Sequence, residues 1–413
     1  MQTVNILHLS TSDLNGGAAK AAYRVHQGLQ AIGLTSRMLV HTKLSDDPNV
    51  IVEKKLLTKL APQLSGLPLK RYARHEGGMF SSQWFADSLA SAVPRLEPDI
   101  ILLHWVCNGF VRIETLAKWN KPIVWTLHDM WPLTGGCHYS RDCDRYTQSC
   151  GACPQLGSHR YRDLSYRVWQ RKNKAWKELN LALVAPSSWI AKCAASSSLL
   201  GGLRIETIPF GLDLLIYKPI NKSTARDLLQ LPQDKPLVLF GALAATKDQR
   251  KGFHLLASAL QHLSQTPWKD RIEVVIFGAS PPAQPIDVGF KTHYLGRLHD
   301  DIALSLAYSS ADVMIIPSIQ ESFGQTASEA LACGTPVVAF NATGLVDIVD
   351  HQHNGYLAQP YESVDLAKGI AWVLEDRKRH VELCRQARSK AEHQFTLVSQ
   401  SRRYLALIED ILG

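Results

Sequence analysis

The feature that most constrains this chain is the stretch Pro317-Ser318-Ile319-Gln320-Glu321-Ser322-Phe323-Gly324-Gln325-Thr326-Ala327-Ser328-Glu329-Ala330-Leu331, held between two short apolar runs. Val313 to Ile316, before it, reads as a buried parallel strand. A helical pattern then closes near Gly334, and Thr335 to Phe340 reads as the next strand. In a strand–loop–helix–strand unit, ligands bind at the carboxyl ends of the strands and anions at the helix N-terminus. Glu321 falls in the loop and Glu329 more than a turn inside the helix, no more than about 12 Å apart at roughly 1.5 Å of rise per residue. The amides near Gly324, Gln325 and Thr326 lie between them. The competing reading puts both carboxylates on a solvated helix face.

Pro-Ser-x-x-Glu-x-Phe-Gly at a strand-to-helix turn, then Glu329-Ala330, then Cys333-Gly334-Thr335-Pro336-Val337-Val338, resembles the donor-site signature of family-four GT-B glycosyltransferases, the glycosyl transferases of group 1. The resemblance implies an α/β fold of GT-B type: two Rossmann-like domains facing across a cleft, with a C-terminal helix crossing back to the N-terminal domain. It implies retaining transfer with no metal at the catalytic centre. It also implies that Glu321 contacts the donor sugar and Glu329 the ribose hydroxyls. The backbone of Phe323, Gly324, Gln325 and Thr326 would serve sugar hydroxyls and phosphate.

A chain of 413 residues is too long for one ordinary core. The division expected is an acceptor-side domain over 1–208 with a Cys-rich insertion at 137–153, a hinge at 209–220, a donor-binding domain over 221–392 and a crossover helix over 393–413. No apolar run reaches the roughly 18 residues that a bilayer span needs. Met1 to His8 shows no signal-peptide pattern. Cytoplasmic residence is therefore expected, with the eight cysteines reduced or metal-bound. Lys and Arg number 45 against 37 Asp and Glu, a formal +8, which favours anionic partners such as sugar-nucleotide phosphates or a lipid-phosphate surface. No nucleic-acid module is present in the sequence, so nucleic acid is not an expected partner. Ile51 to His75 interleaves Lys54, Lys55, Lys59, Lys70, Arg71 and Arg74 with leucines. It suits either a solvated helix face or peripheral contact with an anionic membrane at its inner face, where a lipid-linked acceptor would lie.

In the first half, Val4 to Ser10 reads as a strand running into Gly16, Gly17 and Ala18, then a helix closed by Gly33. A glycine pair there lets backbone approach a ligand, and the family uses this loop over the donor phosphates. The strand from Pro122 ends in His128-Asp129, followed by Gly135-Gly136; both His128 and Asp129 are assigned to the active centre, as the resemblance implies. Cys137, Cys143, Cys150 and Cys153 follow, the last two as Cys-x-x-Cys. They form either a closed structural zinc site or a loop packed by reduced thiols. Tyr161 to Lys177 reads as an amphipathic surface helix, and Pro209-Phe210-Gly211-Leu212-Asp213 resembles the family hinge, with Phe210 where Asn is usual.

The second half opens with the strand Pro236 to Gly241. The family's Arg two residues after Phe-Gly is Ala242 here; Arg250-Lys251-Gly252 supplies the cations instead. Arg250 and Lys251, with Lys247, are expected to neutralise a donor diphosphate, Arg250 through two nitrogens. Arg297 and Leu298 fit the family segment whose backbone holds the base. Tyr361 to Leu412 is helical by pattern. The expected reaction is hexosyl transfer from a UDP-hexose, UDP-glucose by default, to a saccharide or lipid-linked acceptor in polysaccharide biosynthesis, with His128, Asp129, Glu321, Arg250 and Lys251 at its centre. The alternatives are a nucleotide-sugar 2-epimerase of the same fold and a non-catalytic zinc-bearing scaffold.

Overall fold

Apolar runs too short for helices and too continuous to alternate supply the strands, and this is the pattern of a sheet covered on both faces. The computed structural model describes residues 4–53, 56–72, 78–241, 248–281 and 287–413, leaving out the side chains of 56–59. In chain order the first elements are β1 (Asn5–Ser12), α1 (Gly17–Ala31), β2 (Thr35–Thr42), β3 (Val50–Val52), α2 (Leu56–Ser65), α3 (Leu89–Ala92), β4 (Ile100–Leu103), β5 (Ile123–Thr126), α4 (Leu164–Trp176), β6 (Leu181–Ala185), α5 (Ser188–Ala195) and β7 (Ile205–Thr207). Then come α6 (Lys222–Leu228), β8 (Leu237–Gly241), α7 (Phe253–Ser264), β9 (Glu273–Phe277), β10 (Thr292–Gly296), α8 (Asp301–Ser310), β11 (Val313–Ile316), α9 (Gln325–Ala332), β12 (Val337–Phe340), β13 (Gly355–Ala358), α10 (Ser363–Glu375) and α11 (Arg377–Gln394), with α12 (Leu397–Leu412) last. The helical tail expected over Tyr361 to Leu412 is thus three helices, and an aspartate caps the second: the Asp376 carboxylate accepts the amide of Arg379.

By residue contacts the chain divides into Met1–Gly211 with Leu397–Gly413, and Leu212–Thr396. The first unit holds a sheet in the order β3-β2-β1-β4-β5-β6-β7, the second a sheet in the order β10-β9-β8-β11-β12-β13. All the pairings are parallel. In both sheets the direction of strand succession reverses once, between β1 and β4 and between β8 and β11. At such a reversal the loops leaving two adjacent strands diverge to opposite faces and leave a crevice at their carboxyl ends.

The last helix belongs to the first unit. Its Tyr404, Leu407 and Ile408 pack with Val25, Leu29 and Ile6, and Gly28 lets α12 approach α1, since a methyl there would fall 2.1 Å from Ser401 Oγ. Tyr404, fully buried, shares a 2.8 Å hydrogen bond with the hydroxyl of Thr126 on β5. Tyr404→Phe keeps the ring and orphans that buried hydroxyl. It should cost about 1–3 kcal/mol, read as a lower urea midpoint of the transition reported by tryptophans of the first unit.

Candidate functional site

In the second unit the crevice at the β8/β11 reversal is lined by two loops. The first carries a short 3-10 turn, Gln249–Lys251, capped by the Asp248 carboxylate, which accepts the Arg250 amide at 3.0 Å. Gly252 ends that turn at φ +71, where a side chain would be strained, and a methyl there would sit 1.8 Å from the carbonyl oxygen of Pro317. Glycine therefore lets the turn dock on the second loop, where Ile319 N–H donates to Arg250 O at 2.8 Å.

The docking brings the charges together. Lys251 Nζ lies 2.6 Å from Glu321 Oε1 and Arg250 Nη1 lies 3.4 Å from Oε2. The hydroxyl of Ser318 also donates to Oε1, at 3.0 Å. Arg250 reaches the Gln320 carbonyl at 2.8 Å and Asp248 at 3.3 Å as well. The backbone of Glu321 is held from its other side, its N–H donating to Thr343 Oγ1 and its carbonyl accepting Gly344 N–H. Burial by itself raises the pKa of a carboxyl; here Lys251, Arg250 and Ser318 outweigh it and hold Glu321 down at about 2. Gly324, at φ +109, turns the chain into α9; Ala327 N–H donates back to Gly324 O at 2.9 Å, and the amides of Gln325 and Thr326 precede the first turn's hydrogen bonds. Gln325 and Thr326 are half-exposed there, while the Phe323 ring turns into the core against Phe395. Glu329 is buried, and its Oε2 accepts the hydroxyl of fully buried Tyr308 at 2.9 Å. Neither glutamate lies on a solvated helix face. Arg297 and Leu298 follow edge strand β10, Arg297 exposed. Lys247 lies outside the described residues, as do Lys54, Lys55 and Arg74 of the basic segment.

In the first unit, Gly16 stands just before α1 at φ +94, and Gly17 and Ala18 form its first turn. His128 and Asp129 follow β5. Asp129 is fully engaged by the protein: Oδ2 lies 2.6 Å from His138 Nδ1 and accepts Trp105 Nε1–H at 2.9 Å, and Oδ1 accepts the Trp131 amide at 2.8 Å. Burial works to raise its pKa, but His138 and these donors hold it below the usual carboxylate range. Asp129 thus organises the loop from Met130 to His138. His128 is buried, stacked on Phe210 with centroids 5.2 Å apart, and burial lowers its pKa to about 4. The side chain that replaces the family's Asn thus forms one wall of the His128 pocket.

The amphipathic helix α4 turns Ser165, Val168, Lys172 and Trp176 inward, so that its buried face carries a lysine. Its ammonium is fully buried 3.6 Å from the Trp131 ring centroid and donates to the carbonyls of Trp131 and Thr134. Burial lowers its pKa to about 7. A cation there stitches the Asp129 loop to α4, a role the sequence hid because nothing in the helix pattern separates this lysine from its exposed neighbours. Cys137, Cys150 and Cys153 are buried free thiols and Cys143 is half-exposed. Burial raises the first three, Cys150 to about 12, and Cys150 Sγ accepts the Gly135 amide at 3.0 Å. Among the described residues no group of three or more His, Cys, Asp or Glu side chains is placed to hold a metal ion.

Because the folded pKa of Glu321 lies below its unfolded value, the group adds stability above about pH 4.5 and loses it as pH falls toward 2. Glu321→Gln removes that term. The stability gap between the wild type and this variant should shrink by about 2 kcal/mol between pH 6 and pH 3, measured by denaturant unfolding; a constant gap would mean that the ion pairs do not form.

Residues 221–394 match the family model described as glycosyl transferases group 1. A D-inositol 3-phosphate glycosyltransferase of Xylanimonas cellulosilytica is 36% identical over 45% of this chain and 46% of its own length, so the match spans about half of that relative. The putative colanic acid biosynthesis glycosyl transferase WcaC of Escherichia coli is 24% identical over 84% of this chain and 85% of its own. Among solved structures, sucrose-phosphate synthase from Thermosynechococcus elongatus superposes with a TM-score of 0.70 at 19% identity, covering 99% of each chain. Anabaena HepE, crystallised with UDP and glucose, does so at 0.65 and 19%, covering 98% of this chain and 99% of its own. The two parallel sheets are thus the pair of Rossmann-like sheets of a GT-B protein. Residues 221–394 are thus a region of the glycosyl transferases group 1 family.

Proposed function

We propose that this protein is a retaining glycosyltransferase that moves a hexosyl group from a nucleotide-diphosphate sugar, UDP-glucose or a similar UDP-hexose, to a saccharide or lipid-linked saccharide in polysaccharide biosynthesis. The observation that carries the reading is the convergence of Arg250, Lys251 and Glu321 at the strand-order reversal of the second sheet, beside the start of α9. Two cations meet there over one glutamate. A diphosphate arriving at that place would find guanidinium, ammonium and helix amides already ordered. The relatives named above support the setting: WcaC by its assignment to colanic acid, HepE by its UDP and glucose.

The chemistry needs a leaving group whose growing charge is met by fixed positive groups. In this reading Arg250 and Lys251 do that work, so no divalent cation is required. Glu321 is a poor nucleophile and a poor base, since two ion pairs and the Ser318 hydroxyl already occupy its carboxylate. It acts by orienting donor hydroxyls, and the departing phosphate oxygen takes the acceptor proton on the face the diphosphate leaves. Glu329, kept in one rotamer by Tyr308, receives the ribose hydroxyls. His128 contacts donor sugar or acceptor hydroxyl, with Asp129 fixing the loop around it.

A lipid-linked acceptor suits one region of the first unit. Leu60, Leu67, Met79 and Trp84 are exposed near Lys70 and Arg71, and Trp84 Nε1 donates to Leu64 O, tying the two segments together. Among the described residues no helix is long and apolar enough to cross a membrane, so such contact would be peripheral.

A thermal-shift screen of sugar nucleotides should give a stabilising donor, worth about 2.7 kcal/mol at a hundred times its dissociation constant. Incubation with that donor alone should release no isomerised sugar nucleotide; an isomer would identify a 2-epimerase instead. With acceptor present, Arg250→Ala should lower kcat/KM at least about a hundredfold, and near-normal turnover would remove Arg250 from the mechanism.

A further inference from the structure

At the end of the Asp129 loop the chain runs antiparallel to an earlier segment, with Cys137 bridged to Phe80. His138 N–H donates to the Met79 carbonyl at 3.1 Å, and Ser81 N–H to that of Gly136 at 2.8 Å. Side chains alternate across such a bridge. Phe80 and Cys137 therefore share one face, packed with Cys153 and Leu156, while Met79, Ser81 and His138 share the other. On that second face Ser81 Oγ lies 2.9 Å from His138 Nε2, and His138 Nδ1 lies 2.6 Å from Asp129 Oδ2. Trp131 Nε1–H donates to the Ser81 carbonyl at 2.8 Å and fixes the serine by its backbone.

A carboxylate only accepts, so Nδ1 carries a proton. In the neutral ring Nε2 is then the bare nitrogen that accepts from the Ser81 hydroxyl. Trp105 Nε1 also lies 3.4 Å from Nδ1, but a protonated nitrogen cannot accept, and that indole N–H goes to Asp129 at 2.9 Å. The other group at the hydroxyl is the Cys107 thiol, which burial pushes well up, so it competes only weakly for the serine proton. Hydroxyl, imidazole and carboxylate thus stand in the order that makes a serine nucleophilic: a base within reach of the hydroxyl, and a third group that orients the base.

Two observations separate this from a merely structural chain of hydrogen bonds. Ser81 is half-buried and Met79, on the same face, is exposed, so this end meets the surface. Among the described residues no acceptor takes the amide of Ser82, the buried residue that follows. The N–H after a nucleophilic serine is where an oxyanion can be received. The same three residue types meet again at Ser36, His26 and Asp47. There Ser36 lies buried within β2, on Nδ1, and the carboxylate is 3.3 Å from Nε2.

We propose that Ser81 is a nucleophile toward carboxylic esters, with His138 as its base and Asp129 as the positioning residue, and that Met79 favours an apolar acyl group. Ser81 Oγ attacks the carbonyl carbon while its proton passes to His138 Nε2, and Ser82 N–H meets the oxyanion. The ester C–O bond breaks, the leaving alcohol takes the proton from Nε2, and the acyl group stays on Ser81. Water then gives a proton to Nε2 and attacks the acyl carbon. The bond to Oγ breaks, Ser81 regains the proton and a carboxylic acid leaves. Nothing beyond ester and water is consumed.

A fluorophosphonate probe and p-nitrophenyl esters test this on the full chain. The expected result is phosphonylation of Ser81, located by peptide mass spectrometry, with Ser36 unmodified. Hydrolysis of p-nitrophenyl octanoate should outpace that of the acetate, and Ser81→Ala should lower its kcat/KM at least about a hundredfold. Asp129→Asn keeps the serine but frees the imidazole to take the other tautomer, so phosphonylation of Ser81 should slow at least about tenfold. An unmodified Ser81 in the wild-type chain overturns the proposal, as does ester hydrolysis that Ser81→Ala leaves unchanged. Labelling of Asp129→Asn at the wild-type rate overturns the positioning role, and faster hydrolysis of the acetate overturns the apolar acyl group. The wild-type labelling needs no variant, so a substitution that fails to fold does not shield the proposal. Neither probe involves a sugar nucleotide, so the outcome stands apart from the transferase reading.

Discussion

Two half-buried cations on one buried carboxylate set the terms for the rest of the second unit. Lys251, Arg250 and Glu321 each carry a desolvation cost that a single contact does not offset. At about 4 Å and an effective dielectric near 20, each pair attracts by roughly 4 kcal/mol. Only the convergence of both cations, with Ser318 and the Gln320 carbonyl taking up the remaining valences, makes the burial tolerable. The backbone follows from this need. Gly252 must be glycine for the turn to reach the Pro317 carbonyl, and Thr343 and Gly344 must clamp Glu321 from behind. The result is a pair of cations held ready at the end of a sheet, Lys251 on Glu321 and Arg250 shared between Glu321 and Asp248.

Topology explains why such clusters form where they do. In each sheet the strand order reverses once, and the residues with chemical character gather on the strands that flank the reversal: β8 and β11 in the second unit, β1 and β4 with neighbouring β5 in the first. A loop leaving a parallel strand has left the ladder behind, so side chains share with a few backbone contacts the task of fixing its shape. In this protein those side chains are carboxylates. Asp13, after β1, accepts the amides of Leu14, Leu44 and Ser45; Asp129, after β5, and Glu321, after β11, have been described.

How much of this was legible in the sequence follows from how local each feature is. The strand Val313–Ile316, the loop with its two glutamates and the turn carrying Arg250 and Lys251 could all be read from contiguous residues, because apolar runs, a proline and glycines at fixed offsets define them without reference to the rest of the chain. The contact of Ser81 with His138 could not. The two are 57 residues apart, and only the antiparallel bridge between Phe80 and Cys137 makes them neighbours. Tyr308 was hidden for the same reason, reaching Glu329 from a different helix. Lys172 misled in the opposite direction: its helix is rich in basic and aromatic residues, and which face turns inward depends on what packs against it. The cysteine cluster shows the limit of spacing arguments, since Cys-x-x-Cys fixes how far apart two thiols can be and not how each is buried: Cys137, Cys150 and Cys153 are buried and Cys143 is half-exposed.

Burial and charge therefore act together to preorganise these loops. Asp13, Asp129 and Glu321 all have depressed pKa values although burial alone would raise them, so at neutral pH each is a fixed anion; both oxygens of Asp129 are taken up by the protein, while Glu321 Oε2 has Arg250 at 3.4 Å and keeps room for a donor hydroxyl. A carboxylate in that condition is a poor catalyst and a good scaffold. In the transferase reading, the groups left to do chemistry are those the scaffolds hold: cations beside Glu321 and helix amides after Gly324 in the second unit, and a neutral His128 beside Asp129 in the first. Loops built this way order their dipoles when the chain folds, so in the transferase reading the ordering need not be repeated at each turnover. That is the physical reason why so much of their structure is spent on residues that touch no ligand.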